Sequence, residues 1–227
     1  MKVTTDSCLF GAWISKQINS EGLIINNCLD IGTGTGLLSL MFVQQNENII
    51  IDAIEIDEAA AAQAKQNIDA AQWKERIKII CADIREYKFE KKYDIIFSNP
   101  PFYENELKST QQEKNIAHHS DELNLKDVLV VIENNLTDDG TFFLLLPYKR
   151  FDEIKNILKQ SIFELIKIVL VKQTPAHNYF RIMLHGKIRS SETENIKTAE
   201  EEIIIADANG NYTDEFKKLL TSFYLKL

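Results

Sequence analysis

Glycine stands at three alternate places in Asp30-Ile31-Gly32-Thr33-Gly34-Thr35-Gly36, directly after the strand-like stretch Asn27-Cys28-Leu29. That spacing lets the backbone turn sharply and approach a bound group, with N–H groups and a helix N-terminus directed at it. A tight strand-to-helix turn would by itself account for the glycines. Asp30 ahead of them favours a ligand, and its charge narrows the choice. The dinucleotide fingerprint needs glycine at the sixth place of G-x-G-x-x-G, where this chain has Leu37, and the G-x-x-x-x-G-K-[ST] phosphate loop is absent. An acid there repels phosphate but holds an ammonium group or its bound water, which suits the amino-acid end of S-adenosylmethionine.

The rest of the chain repeats the strand-then-helix rhythm of a doubly wound α/β sheet. Strands are predicted near 27–31, 49–55, 77–81, 93–98, 141–146, 164–172 and 179–187, with helices near 36–45, 58–71, 123–136 and 151–161. The expected fold is a Rossmann-like, seven-stranded, mostly parallel sheet with helices on both faces, closed by an antiparallel edge hairpin through Gln173 to Asn178. Asp138-Asp139-Gly140 is expected to be the turn before the fifth strand. Ser190 to Glu202 is polar and charged and is expected to be an exposed connector, followed by a possible strand at Ile203-Ile204-Ile205 and a closing helix from Asp214 to Leu227.

Ligands of such sheets bind outside the carboxyl ends of the strands. Glu55 ends the second predicted strand about twenty residues after the glycines, the place of an acid that grips ribose hydroxyls. Asp57 precedes the helix formers Glu58 to Ala62 and is expected to be an N-cap. Asp83 follows the third strand and suits an adenine amine. The candidate cofactor-binding set is Asp30, Gly32, Thr33, Gly34, Gly36, Glu55, Ile56, Asp83, Ile84 and Asn99.

The fourth strand, Tyr93 to Ser98, runs into Asn99-Pro100-Pro101-Phe102. Proline fixes φ and lacks an N–H, so it leaves carbonyl acceptors in set directions with no donor beside them. Asn99 adds a side-chain acceptor and Phe102 a flat face on which a base stacks. A structural stop after a strand is the plainer reading of the tetrapeptide alone. With Glu55 and Asp83 at neighbouring strand ends, Asn99, Pro100, Pro101 and Phe102 become the catalytic candidates, suited to a planar amine.

Together the loop Asp30 to Gly36, Glu55, Asp83 and Asn99 to Phe102 resemble the class I S-adenosylmethionine-dependent methyltransferases of amino groups. Met1 to Asp6, Gly11-Ala12-Trp13 and the ending Asp214 to Leu227 resemble, within that class, the bacterial tRNA(Val) adenine-N6 methyltransferase family. The resemblance implies S-adenosylmethionine as cofactor and a tRNA adenine beside the anticodon as substrate. Lys2, Thr5, Phe102, His119 and Arg181 are then the candidate substrate contacts. Two departures stand out. Family members carry a further basic-aromatic stretch ahead of the lysine matching Lys2, and His118-His119 stand where the family often shows arginine before histidine.

A single domain over 1–227 is expected from length. Cys8, Cys28 and Cys81 form no C-x-x-C motif, and no leader is evident, so a reducing, cytoplasmic setting is expected, with no membrane, no metal and a monomer. With 26 Lys+Arg against 34 Asp+Glu the net charge of −8 opposes RNA binding, and a local basic rim around the site is the way the two are reconciled. Lys108, Lys114, His118, His119, Lys149, Arg150, Lys172, His177, Arg181, Lys187 and Arg189 are its candidates, and the long polar loop Tyr103 to Asp121 is expected to be a lid or binding loop. Trp13 and Tyr224 are expected to be packing groups. Two rivals remain: a protein glutamine-N5 methyltransferase, whose side-chain amide is equally planar, and a non-catalytic module binding S-adenosylmethionine or RNA.

Overall fold

The computed structural model describes residues 3–22, 25–100, 123–189 and 197–225. Its elements are helix α1 (Thr5–Glu21), β1 (Asn27–Ile31), α2 (Leu37–Gln45), β2 (Ile50–Glu55), α3 (Glu58–Asp69), β3 (Ile77–Cys81) and β4 (Tyr93–Ser98). Then come α4 (Leu125–Asn135), β5 (Leu136–Pro147), α5 (Phe151–Lys159), β6 (Phe163–Lys172), β7 (Tyr179–Ile188), β8 (Ala199–Ile204) and α6 (Asp214–Leu220). The strands form one sheet in the order β3-β2-β1-β4-β5-β7-β6-β8. Strand order reverses between β1 and β4, so the crevice above their carboxyl ends is the switch point where such sheets bind ligands.

Both faces of the sheet are covered. Along β5, Phe143 and Leu145 enter the core shared with α1, α2 and α6, whereas Phe142, Leu144 and Leu146 enter the core shared with α4 and α5. A strand buried on both faces accounts for the unbroken apolar run Phe142 to Leu146.

Four expectations are corrected. The sheet has eight strands, because Ala199–Ile204 pairs in parallel with β6, in register from Lys167↔Ala199 to Lys172↔Ile204. The end of the supposed connector, Ala199 to Glu202, is therefore part of an edge strand, with ion pairs of Lys167 with Glu201 and Lys172 with Glu202. The β6–β7 hairpin is not at the edge: β7 lies between β5 and β6 and is antiparallel to both. Asp138-Asp139-Gly140 lies within β5, where the pairing with β4 shifts register between Tyr93 and Ile95.

Helix α1 was not foreseen. Its N-cap residue Thr4 makes no side-chain cap bond, a contribution of about 1 kcal/mol left unused. Leu9, Phe10, Trp13 and Ile14 are almost fully buried, and each such side chain stabilises by roughly 1.5–3 kcal/mol. Packing therefore holds this helix. Gly11 admits α2 closely, since a Cβ there would lie 2.9 Å from Met41 Sδ. Trp13 is a packing group as expected, edge-on to Phe143. Among the described residues no helix is long and apolar enough to cross a membrane.

Candidate active site

The ends of β1, β2 and β4 are aligned by register, Ile31 standing beside Ile54 on one side and beside Ser98 on the other. The Ser98 hydroxyl donates to the Ile31 carbonyl across 2.7 Å, which fastens the end of β4 to the start of the glycine loop. Gly32, Gly34 and Gly36 have φ of 69°, 59° and 80°, a region costly for any residue with a Cβ. Their surroundings separate their roles. A Cβ on Gly32 would meet nothing within 4 Å among the described residues, whereas one on Gly36 would meet Ile68 at 3.3 Å and Ala64 at 3.6 Å. Gly36 thus serves the packing of α3 against the loop.

Asp30 is wholly buried. Its Oδ2 accepts from the hydroxyls of Thr33 at 2.6 Å and Ser39 at 2.7 Å, while Oδ1 has no hydrogen-bond partner among the described residues. Burial pushes its pKa up to about 6, with the Glu55 charge adding to the rise and the two hydroxyls opposing it. Thr33 therefore acts on Asp30 rather than outward. Glu55, also buried, accepts from Gly34 N–H at 2.9 Å through Oε2 and from Asp57 N–H at 3.0 Å through Oε1. Each carboxylate oxygen keeps a further lone pair for a hydroxyl. Asp57 caps α3 as expected, accepting from Ala60 N–H at 2.7 Å.

Ile56, next to Glu55, is 57% exposed. Ile84 is buried. The Asp83 carboxylate accepts from Arg85 through Nε and the backbone N–H, both at 2.9 Å. The hydrogen bonds from the guanidinium and the backbone N–H, with the guanidinium charge, hold the Asp83 pKa below the ordinary carboxylate value, so any adenine contact there competes with Arg85.

Asn99 follows β4, half-buried, with Pro100 buried behind it. The Asn99 Nδ2 donates to Ser7 Oγ across 2.9 Å. Ser7 Oγ lies 2.8 Å from Thr4 Oγ1, and Asp6, beside it, accepts from Arg181 Nε at 2.8 Å. Arg181, expected at the substrate, is thus bound to the first turn of α1, which Thr5 opens. Sequence reasoning missed Ser7 and Ser39. The hydroxyl-and-acid run Thr4 to Ser7 ahead of an apolar stretch was the available signal of a helix start. Lys2, Pro101, Phe102, His118, His119 and the loop Tyr103 to Asp121 lie outside the described residues. Of the expected basic rim, Lys172 pairs with Glu202, Lys187 with Glu164 and Arg150 with Glu153. Ion pairs at exposed positions contribute about 0–1 kcal/mol.

Known proteins bear on this geometry. Residues 14–167 match the model of the methyltransferase small domain. The tRNA1(Val) (adenine(37)-N6)-methyltransferase of Dyadobacter fermentans is 33% identical over 227 residues, covering 100% of this chain and 91% of the relative. The protein of the same name from Bacteroides fragilis is 35% identical over 230 residues, covering 100% and 92%. The crystal structure of a predicted O-methyltransferase from Agrobacterium tumefaciens superposes with a TM-score of 0.68 at 14% identity, covering 95% of each chain; at that identity the likeness concerns the fold alone. The chain belongs to the methyltransferase small domain family and, within it, to the tRNA1(Val) (adenine(37)-N6)-methyltransferases.

Proposed function

We propose that this chain transfers the methyl group of S-adenosylmethionine to the exocyclic N6 of an adenine in tRNA, the adenine beside the anticodon of tRNA(Val), and that it does so as a single catalytic domain. The observation that carries the reading is the fastening of Asn99 to the open side of the glycine loop through the Ser98–Ile31 bond. A group that accepts from an amine is thereby held beside a place for a cationic donor.

The residues fit that donor. Among the described residues, Asp30 has a buried oxygen with no partner, suited to an ammonium group or its water, and nothing crowds Gly32; Glu55 retains acceptor capacity for ribose hydroxyls, and exposed Ile56 suits an adenine face. S-adenosylmethionine, when bound, supplies an electrophilic methyl on its sulfonium. The chain supplies the rest. An adenine N6 is a poor nucleophile because its lone pair is delocalised into the ring. Asn99 Oδ1 and the Pro100 carbonyl accept from its two protons and so favour a more tetrahedral nitrogen. Those bonds strengthen as positive charge develops there. Extruding the base costs a few kcal/mol, and stacking on Phe102 offsets roughly 1–3 kcal/mol of it. Alignment of nitrogen with the methyl carbon then supplies most of the rate.

The deciding experiment incubates the protein and methyl-labelled S-adenosylmethionine with bulk tRNA, and separately with a release-factor protein. Label in N6-methyladenosine of tRNA is expected. Label in glutamine of the protein would replace the reading with the N5 rival, and label in neither would leave a binding module.

A further inference from the structure

We propose that Ser7, at the start of α1, is a positioning residue that decides which end of the Asn99 amide faces the substrate amine. The inference rests on the amino methyl-transfer reading for its consequence, and on geometry for its content. The two ends of an asparagine amide are nearly equal in size and opposite in hydrogen bonding. Only the oxygen end activates an amine; the NH2 end would meet it donor to donor.

The polarity of the contacts around Ser7 fixes the choice. Asp6 is largely enclosed and holds Arg181 Nε on Oδ2 at 2.8 Å and the Ser7 backbone N–H on Oδ1 at 3.1 Å. Ser7 Oγ lies 2.8 Å from Thr4 Oγ1, and either hydroxyl can donate to the other. With the Ser7 proton on Thr4, Ser7 Oγ offers only lone pairs, and Asn99 meets them with Nδ2 at 2.9 Å. A flipped amide would then set its oxygen against the Ser7 oxygen. In the observed arrangement Nδ2 faces α1, and Oδ1 is turned away from it.

A further observation agrees. Thr4 occupies the N-cap place of α1 without making the cap bond, so its hydroxyl is given to Ser7 instead of to the helix.

The test compares Ser7→Ala and Ser7→Thr in the natural and the Asn99→Ala backgrounds, with single-turnover transfer, donor affinity and melting temperature measured for each. Ser7→Ala is expected to lower the transfer rate about ten- to hundredfold, the effect of one lost orienting hydrogen bond, with donor affinity within about twofold. Ser7→Thr restores most of the rate, and Ser7→Ala adds no loss once Asn99 is alanine. Equal losses in both backgrounds, or an undiminished rate in Ser7→Ala, would overturn the proposal. An activity-free readout runs beside it: the Asn99 side-chain NH2 resonances, assigned by their disappearance in Asn99→Ala, shift in Ser7→Ala and hold in Ser7→Thr. Thr4→Val, at an exposed position, shifts them also, should Ser7→Ala fail to fold. Resonances indifferent to both changes would refute the orientation whatever the substrate, whereas a natural protein that labels no tRNA adenine would refute the functional reading and leave the resonance result standing.

Discussion

Gly34 donates its backbone N–H to Oε2 of Glu55 across 2.9 Å. The loop after β1 and the acid that ends β2 are therefore one unit, and the carboxylate proposed for the ribose hydroxyls also sets the shape of the glycine turn. Glu55→Ala removes both functions. The donor dissociation constant is expected to rise at least about tenfold, the effect of losing charge-assisted bonds of 1.5–3 kcal/mol, with turnover at saturating donor changed much less. Calorimetric titration checks this, and an unchanged constant would remove Glu55 from the site.

Asp30 gives the donor site a pH dependence. Its folded pKa is raised to about 6 by burial, aided by Glu55. A raised carboxyl pKa contributes stability that is full below the unfolded value of about 3.9 and is lost as pH climbs through the folded value. The free protein should therefore lose melting temperature from this group between about pH 4 and about pH 6, the interval between the two values. A cationic donor offsets that loss, so the donor-induced melting shift grows over the same interval, and Asp30→Asn flattens it. A shift independent of pH in the natural protein would contradict the assignment.

The two outer glycines should fail differently. Gly36→Ala meets Ile68 and Ala64 as well as a left-handed backbone, and should cost more than the 1–2 kcal/mol of backbone strain alone. Gly32→Ala carries similar strain but its methyl meets nothing within 4 Å among the described residues, so donor affinity should fall further than stability does. Paired denaturant and binding measurements separate the cases; equal loss of affinity in both variants would place Gly36 at the donor site as well.

What the sequence made legible was local. The run from Asn27 to Gly36, the acid Glu55 and the Asp57 cap each depend on a few neighbouring residues, and each stands where expected. Elements decided by distant partners were hidden. Ala199-Glu200-Glu201-Glu202 has the composition of a connector, and only the lysines of β6 beside it make it a strand. The hairpin β6–β7 was visible as a pair, whereas the insertion of β7 beside β5 follows from tertiary pairing. Helix α1 owes its place to the core beneath Trp13. The bond from Asn99 to Ser7 joins residues 92 apart in the chain, which no spacing rule connects. Asp83 was placed correctly at a strand end, yet its partner Arg85, two residues on, was read past.

The most direct measurement is the single-turnover rate and the donor dissociation constant of Asn99→Ala, taken on the same preparation with tRNA as acceptor. Loss of one preorganised acceptor is expected to slow transfer by about 10²–10³-fold while the donor constant stays within about twofold. Transfer at the natural rate, or a loss explained wholly by weaker donor binding, would contradict the role given to Asn99 and with it the chemistry proposed for the crevice between β1 and β4.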